Sequence, residues 1–210
     1  MVEDDPDYHP FQRINGRWPR IGDRIFSPGD DAWPAKSLEE RNYRLGAGYK
    51  RAGDVLAQNL FGEARDHDNL MYPILFCYRH YIEIALKEII ERYGQWVNVV
   101  LRGKKDHELP KLWKLFLQIA VAYGNDPSYE AAQAVSACIE EFANYDPNGF
   151  AFRYATDNSR RRVLIPLEFG PINLVNLHDV MNGIANFLEC AESDFAHKWD
   201  AACEAASYYE

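Results

Sequence analysis

The stretch ILFCYRHYIEIALKEIIERY, residues 74–93, decides how this chain folds. Ile74, Leu75, Tyr78, Tyr81, Ile82, Ala85, Leu86, Ile89 and Tyr93 recur at three- and four-residue intervals, which puts them on one broad face of an α-helix. Arg79, His80, Glu83, Lys87 and Glu91 fall on the other face. Arg79 with Glu83, and Glu83 with Lys87, are i,i+4 pairs of opposite charge that steady a helix surface. The pattern predicts a helix opened by Asp66 or Asp68 and ending near Tyr93, its apolar side inward and its charged side in water.

Outward from this helix the same period recurs. Ser37 offers a cap, with Glu39 and Glu40 in the first turn, where the helix dipole favours anions. Leu45, Ala52, Val55, Leu56 and Leu60 follow, giving a first helix over about 38–62. A third helix starts near Asp106, with Pro110 in its first turn and Leu109, Leu112, Trp113, Phe116, Ile119, Ala120 and Tyr123 inward. Gly124-Asn125-Asp126-Pro127 is a turn. A fourth helix runs to about Tyr145, with Val135, Cys138, Ile139 and Phe142 inward, and Asp146-Pro147-Asn148-Gly149 ends it. The last helix spans about 172–200, along Leu177, Val180, Met181, Ile184, Leu188, Ala191, Phe195 and Trp199.

Two segments differ in texture. Phe150–Thr156 alternates aromatic and other residues, Asp157-Asn158-Ser159 can turn, and Arg162–Leu167 can run back; a short β-hairpin or extended insertion is expected over 150–167. Residues 1–36 are punctuated by Pro6, Pro10, Pro19, Pro28 and Pro34 and read as an N-terminal extended arm. Its Trp18, Ile25, Phe26 and Trp33 are expected to dock on the bundle surface. Five helical patterns with short connections make the fold all-α, an antiparallel helical bundle over 37–210.

The bulk numbers narrow the function. A chain of 210 residues buries roughly 70% of its unfolded surface, so it needs no staples. A net charge of -9 excludes a general nucleic-acid binder, and contact with RNA falls to a local basic patch. Cys77, Cys138, Cys190 and Cys203 form no CxxC pair, and three lie in apolar helical patterns; buried, reduced thiols are expected, not a disulfide framework or a zinc site. Asp66-His67-Asp68 reads as a capping cluster and not as metal ligands. The opening MVEDDPDYHP lacks the apolar run of a secretory signal, and no apolar stretch nears the ~20 residues that span a bilayer. The expected compartment is the cytoplasm, with no membrane, metal or cofactor.

The most basic window is RGKKDHELPKLW, residues 102–113. His107 is the residue type that takes a proton from a ribose 2′-hydroxyl or returns one to a leaving 5′-oxygen near neutral pH. Arg102 can hold the scissile phosphate with its fork of donors, and Lys104 and Lys105 extend the basic patch. An Arg-x4-6-His spacing is expected about once by chance in such a composition, so the bland alternative is Asp106 capping the helix, His107 packing locally and the lysines in solvent. Arg79 and His80 are either an exposed face tied by Glu83 and Lys87 or part of the same cleft. Arg153 and Tyr154, beside Phe150 and Phe152, suit an unpaired RNA strand, whose bases stack on rings; otherwise they form a lid with rings inward and arginines in water.

Arg102 and His107 at the junction before a late bundle helix resemble the HEPN superfamily, helical-bundle proteins of bacterial toxins, antiviral systems and RNA-guided nucleases. YRHYIEIALKEII (78–90), DHELPKLW (106–113) and FRYATD (152–157) are similar to a recurrent set in bacterial HEPN-like proteins, a likeness covering residues 40–200. The resemblance implies a metal-independent endoribonuclease, a toxin or phage-defence effector, in which two copies meet as a homodimer around one RNA-cleaving cleft. Arg102 and His107 would be catalytic, and Arg79, His80, Lys104, Lys105, Arg153 and Tyr154 would contact substrate. An antitoxin or defence-system protein would be its partner. The rival reading is a HEPN-like bundle without catalysis that binds a protein partner or a nucleotide ligand; Gly103 after the arginine and the acidic net charge favour it.

Overall fold

The computed structural model describes residue 25 and residues 34–61, 67–101, 107–156 and 170–207. The chain divides into a unit Met1–Pro34 and a unit Ala35–Glu210. Most of the arm lies outside the described residues, and Ile25 is almost wholly exposed. The second unit is an all-α bundle of five helices: α1 (Leu38–Asn59), α2 (His67–Tyr93), α3 (Leu109–Ala122), α4 (Glu130–Tyr145) and α5 (Leu174–Ser207). A short 3-10 turn, Gly94–Val97, follows α2. Among the described residues there is no strand, and none of their helices is long and apolar enough to cross a membrane.

Ser37 caps α1 as the sequence suggests. Its Oγ accepts from the Glu40 amide at 3.0 Å, and the Glu40 carboxylate reaches back to the Lys36 amide at 2.7 Å, a reciprocal box that satisfies two orphan donors. The inner stripe of α1 differs from the expected one. Leu45 and Val55 are exposed, whereas Gly46, Gly53 and Ala57 face inward. Small residues win because α2 comes very close: a Cβ on Gly53 would meet the Tyr78 ring at 2.6 Å.

Helix α2 is the centre of the bundle, in contact with α1, α3 and α5. Its neighbours are not all antiparallel. Gly46 lies by Ile84 and Gly53 by Tyr78, so α1 and α2 run in opposite directions. By contrast Tyr93, at the end of α2, meets Tyr123 just past the end of α3 and Phe195 well along α5, while Leu75 and Leu177, near the starts of α2 and α5, line one cavity. Helices α2, α3 and α5 therefore share a direction: the chain returns once between α2 and α3, and α4, running the other way, makes the second return.

The core between them is aromatic. Trp113 and Phe116 stack at 4.8 Å, and Phe187 and Phe195 of α5 close on Phe116 at 6.0 and 5.9 Å. Cys77 is buried, but Cys190 and Cys203 are exposed and not buried as expected, because they lie on the outer face of α5.

The third helix begins at Leu109 and not near Asp106; Pro110 sits in its first turn, where a missing N–H costs nothing. Asp106, offered as its cap, lies outside the described residues. Phe150–Tyr154 forms tight turns and not a strand or extended run, with Arg153 and Tyr154 amides donating to the Phe150 carbonyl at 3.0 and 3.1 Å. The expected returning half, Arg162–Leu167, is outside the described residues.

Candidate functional site

The covered side of α2 carries a carboxylate that three side chains converge on. Glu83 is 3% exposed. Its Oε2 accepts from Arg79 Nη1 at 2.7 Å. Its Oε1 accepts from Lys87 Nζ at 2.8 Å and from His107 Nδ1 at 2.7 Å. An ionised carboxylate only accepts, so Nδ1 carries the proton and Nε2 presents a lone pair when the imidazole is neutral. The His107 side chain is 43% exposed, so this second ring nitrogen belongs to a group that solvent and solutes can reach.

Arg79 corrects the reading of α2. Expected on an exposed face, it is 1% exposed. The sequence places it opposite the apolar stripe, but α3's approach and the α4 exit turn cover that side. Its Nη2 donates to the His107 carbonyl at 2.6 Å, and its Nε donates to the Asp146 carbonyl at 3.3 Å. Asp146 Oδ2 lies 3.1 Å from the same Nε as a charge neighbour, without an aligned hydrogen bond of its own. Arg79 and Glu83 thus hold His107 at two points, its carbonyl and its ring. With each of its three nitrogens donating to an internal partner, Arg79 is a scaffold for His107.

Burial pushes the Glu83 carboxyl up, but hydrogen bonds from Lys87, His107 and Arg79 outweigh it and bring the group from 4.5 down to about 2. A folded carboxyl below its unfolded value adds stability that is whole above about pH 4.5 and is lost as pH falls through about 2. Thermal midpoints should therefore drop progressively below pH 4.5, and in Glu83→Gln the acid-side slope should flatten.

The α4 exit turn supplies the next wall. Asp146 Oδ1 accepts from the Phe150 and Ala151 amides at 2.7 and 2.9 Å, using up donors that a strand ladder would need. Gly149 has φ +78 and its Cβ position lies 2.9 Å from Arg79 Nη1. A side chain there would meet both a left-handed backbone penalty and the guanidinium. Gly149→Ala should cost about 1–3 kcal/mol, read as a shift in urea midpoint.

Arg153 leaves this turn and folds back on it. Its Nε and Nη2 donate to the Gly149 carbonyl at 3.0 and 2.6 Å. The guanidinium lies over Phe150 at 4.9 Å, Phe76 at 5.4 Å and Tyr154 at 5.6 Å. His80 stacks on Phe76 at 5.4 Å and meets Tyr49 edge-on at 4.5 Å. Burial pushes the His80 imidazole down from its ordinary value. His80 is therefore half inside an aromatic stack, and not on the open charged face the periodicity suggests. Phe150, 6.5 Å from the His107 ring, links the stack to the Glu83–His107 pair.

The structure brings together His107, Arg79, His80 and Arg153, with Tyr154 at the edge. Arg102, Lys104 and Lys105 lie outside the described residues. Sequence reading did not give Glu83, Lys87 or Asp146 a role at the site. The i,i+4 ladder 79–83–87 was visible, but nothing local distinguishes a ladder in water from one beneath another element. A separate cavity of about 380 Å³ between α2, α4 and the start of α5 is lined largely by apolar groups, among them Leu75, Phe142, Phe152 and Met181, and by none of these site residues. His67, named with the possible capping cluster, points Nε2 at the Leu60 carbonyl at 2.9 Å. Among the described residues no three His, Cys, Asp or Glu side chains are grouped to hold a metal ion.

No family model matches the chain, and no curated protein or solved structure is significantly similar to it. A functional reading therefore rests on the chain's own residues and their geometry.

Proposed function

We propose that this protein is a metal-independent endoribonuclease of the HEPN kind. The observation that carries the reading is the 2.7 Å bond from His107 Nδ1 to buried Glu83, on a ring whose side chain is 43% exposed. A carboxylate on Nδ1 fixes the tautomer and ring plane, leaving Nε2 to exchange a proton with solutes. In this reading Nε2 takes the 2′-hydroxyl proton or protonates the 5′-leaving oxygen, and Arg102 clamps the phosphate. Arg153 and Tyr154 offer a cation and a ring to an unpaired stretch of RNA. A second copy across a homodimer contributes the complementary proton donor or acceptor. The setting is the cytoplasm, as a toxin or phage-defence effector held by an antitoxin or defence-system protein.

A second reading, a HEPN-like module that binds a protein or a nucleotide ligand without catalysis, is favoured by two contacts. Arg79 spends its donors inside, and His80 is held between Phe76 and Tyr49, which leaves fewer groups for a phosphate. The experiment that separates them is incubation of the purified full chain with RNA in EDTA. Cleavage leaving 2′,3′-cyclic phosphate ends supports the nuclease. Intact RNA, together with a wild type as harmless on overexpression as Arg102→Ala, supports the module.

A further inference from the structure

Glu83 Oε1 is shared. Lys87 Nζ and His107 Nδ1 approach the same oxygen at 2.8 and 2.7 Å, while the other oxygen is committed to Arg79. The fixed charges of the network cancel: Arg79 and Lys87 are cations, Glu83 and Asp146 anions. A neutral imidazole completes a balanced cluster, and a protonated one adds an uncompensated positive charge next to a largely buried set of ions. We propose that Lys87 governs whether His107 holds one ring proton or two, through the Glu83 oxygen that both side chains use.

The coupling is electrostatic and follows from position. Lys87 is on α2, one turn beyond Glu83, and its side chain is 22% exposed. Unlike Arg79, which holds the His107 and Asp146 carbonyls, and Asp146, which holds two amides, it can be altered without cutting a bond to the main chain, and unlike Glu83 it does not itself touch the ring. Without Lys87 the cluster carries one net negative charge, and the imidazolium becomes its compensating ion. The other charged groups described on this side do not replace it. Arg79 is bonded to Glu83 in either state, His80 is stacked on Phe76, Arg153 is bonded to the Gly149 carbonyl, and Glu108 pairs with Lys111 at 2.5 Å on the exposed start of α3. Lys87 is thus a tuning residue, acting on His107 through Glu83.

This inference rests on reading His107 as the acid–base group, but its test needs no RNA. The His107 ring is followed by NMR titration in the full chain, in wild type, Lys87→Met and Lys87→Arg. The midpoint in Lys87→Met should move up by about one pH unit, the size of effect a single nearby charge has. Lys87→Arg, which keeps the charge, should titrate close to wild type. An unmoved midpoint in Lys87→Met, or an equal movement in both variants, would overturn the proposal, because the effect would then be absent or due to packing. Where wild type cleaves RNA, the acid limb of kcat/KM should move with the ring. A shifted ring in a protein that cleaves nothing would uphold Lys87 and refute the nuclease.

Discussion

On the proposed nuclease reading, His107→Ala should lower RNA cleavage by about 10²–10⁴-fold, the range a positioned general acid or base contributes. The fold should survive. The ring is partly exposed, and what the network takes from residue 107 besides the ring is a backbone carbonyl, which alanine keeps. An unchanged circular dichroism spectrum and a nearly unchanged thermal midpoint beside lost cleavage would separate chemistry from stability. The loss should also be in kcat more than in KM, because the imidazole acts on the proton and not on the strand. Equal cleavage by wild type and His107→Ala would remove this histidine from the mechanism.

Arg79→Met should do the opposite, striking the fold first. It removes the buried cation that faces Glu83 and Asp146 and leaves the His107 carbonyl without its donor. Breaking a buried ion pair from one side costs about 3–5 kcal/mol, since the partner charge stays behind unpaired. For a domain of this size the thermal midpoint should fall by about 10 °C. Any cleavage should fall with it, even in the fraction that remains folded, because the His107 main chain is no longer pinned. A variant as stable as wild type would mean that the Arg79 bonds to residues 83, 107 and 146 contribute little net energy.

The contrast between these two variants mirrors what the sequence does and does not encode locally. That His107 can exchange a proton near neutral pH was legible, because imidazole chemistry is a property of the residue itself. The position of α2 was legible too, because Ile74, Tyr78, Ile82, Leu86 and Ile89 recur with the helical period and all are buried. The cap at Ser37 followed from local chemistry alone. The role of Arg79 was not legible. Its covering partners are the His107 carbonyl, 28 residues away, and the Asp146 carbonyl, 67 residues away. Helical periodicity assigns a face relative to its own helix and carries no information about a turn that arrives from elsewhere. An Arg–Glu i,i+4 pair reads the same in water as under a lid.

Two other differences share that origin. Leu45 and Val55 looked like the inner stripe of α1 because they are the large apolar residues, yet the distance of approach to α2 selects Gly46, Gly53 and Ala57. The direction of α3 and α5 was also hidden. Short connections were expected to alternate the helices throughout, whereas α3 starts back at the Arg79 end and runs parallel to α2; from there α4 and α5 alternate again.

That shared direction of α2, α3 and α5 bears on how the chain is made. Helix α5, the last of the five, supplies Phe187 and Phe195 to the rings of Phe116, Tyr93 and Tyr123. During vectorial synthesis the earlier helices leave the ribosome with that greasy seam uncovered, and only the final helix shuts it. Such late, sequence-distant closure slows folding relative to an up-and-down bundle. It also gives nascent chains a window in which a chaperone, or another nascent copy, can reach the seam first.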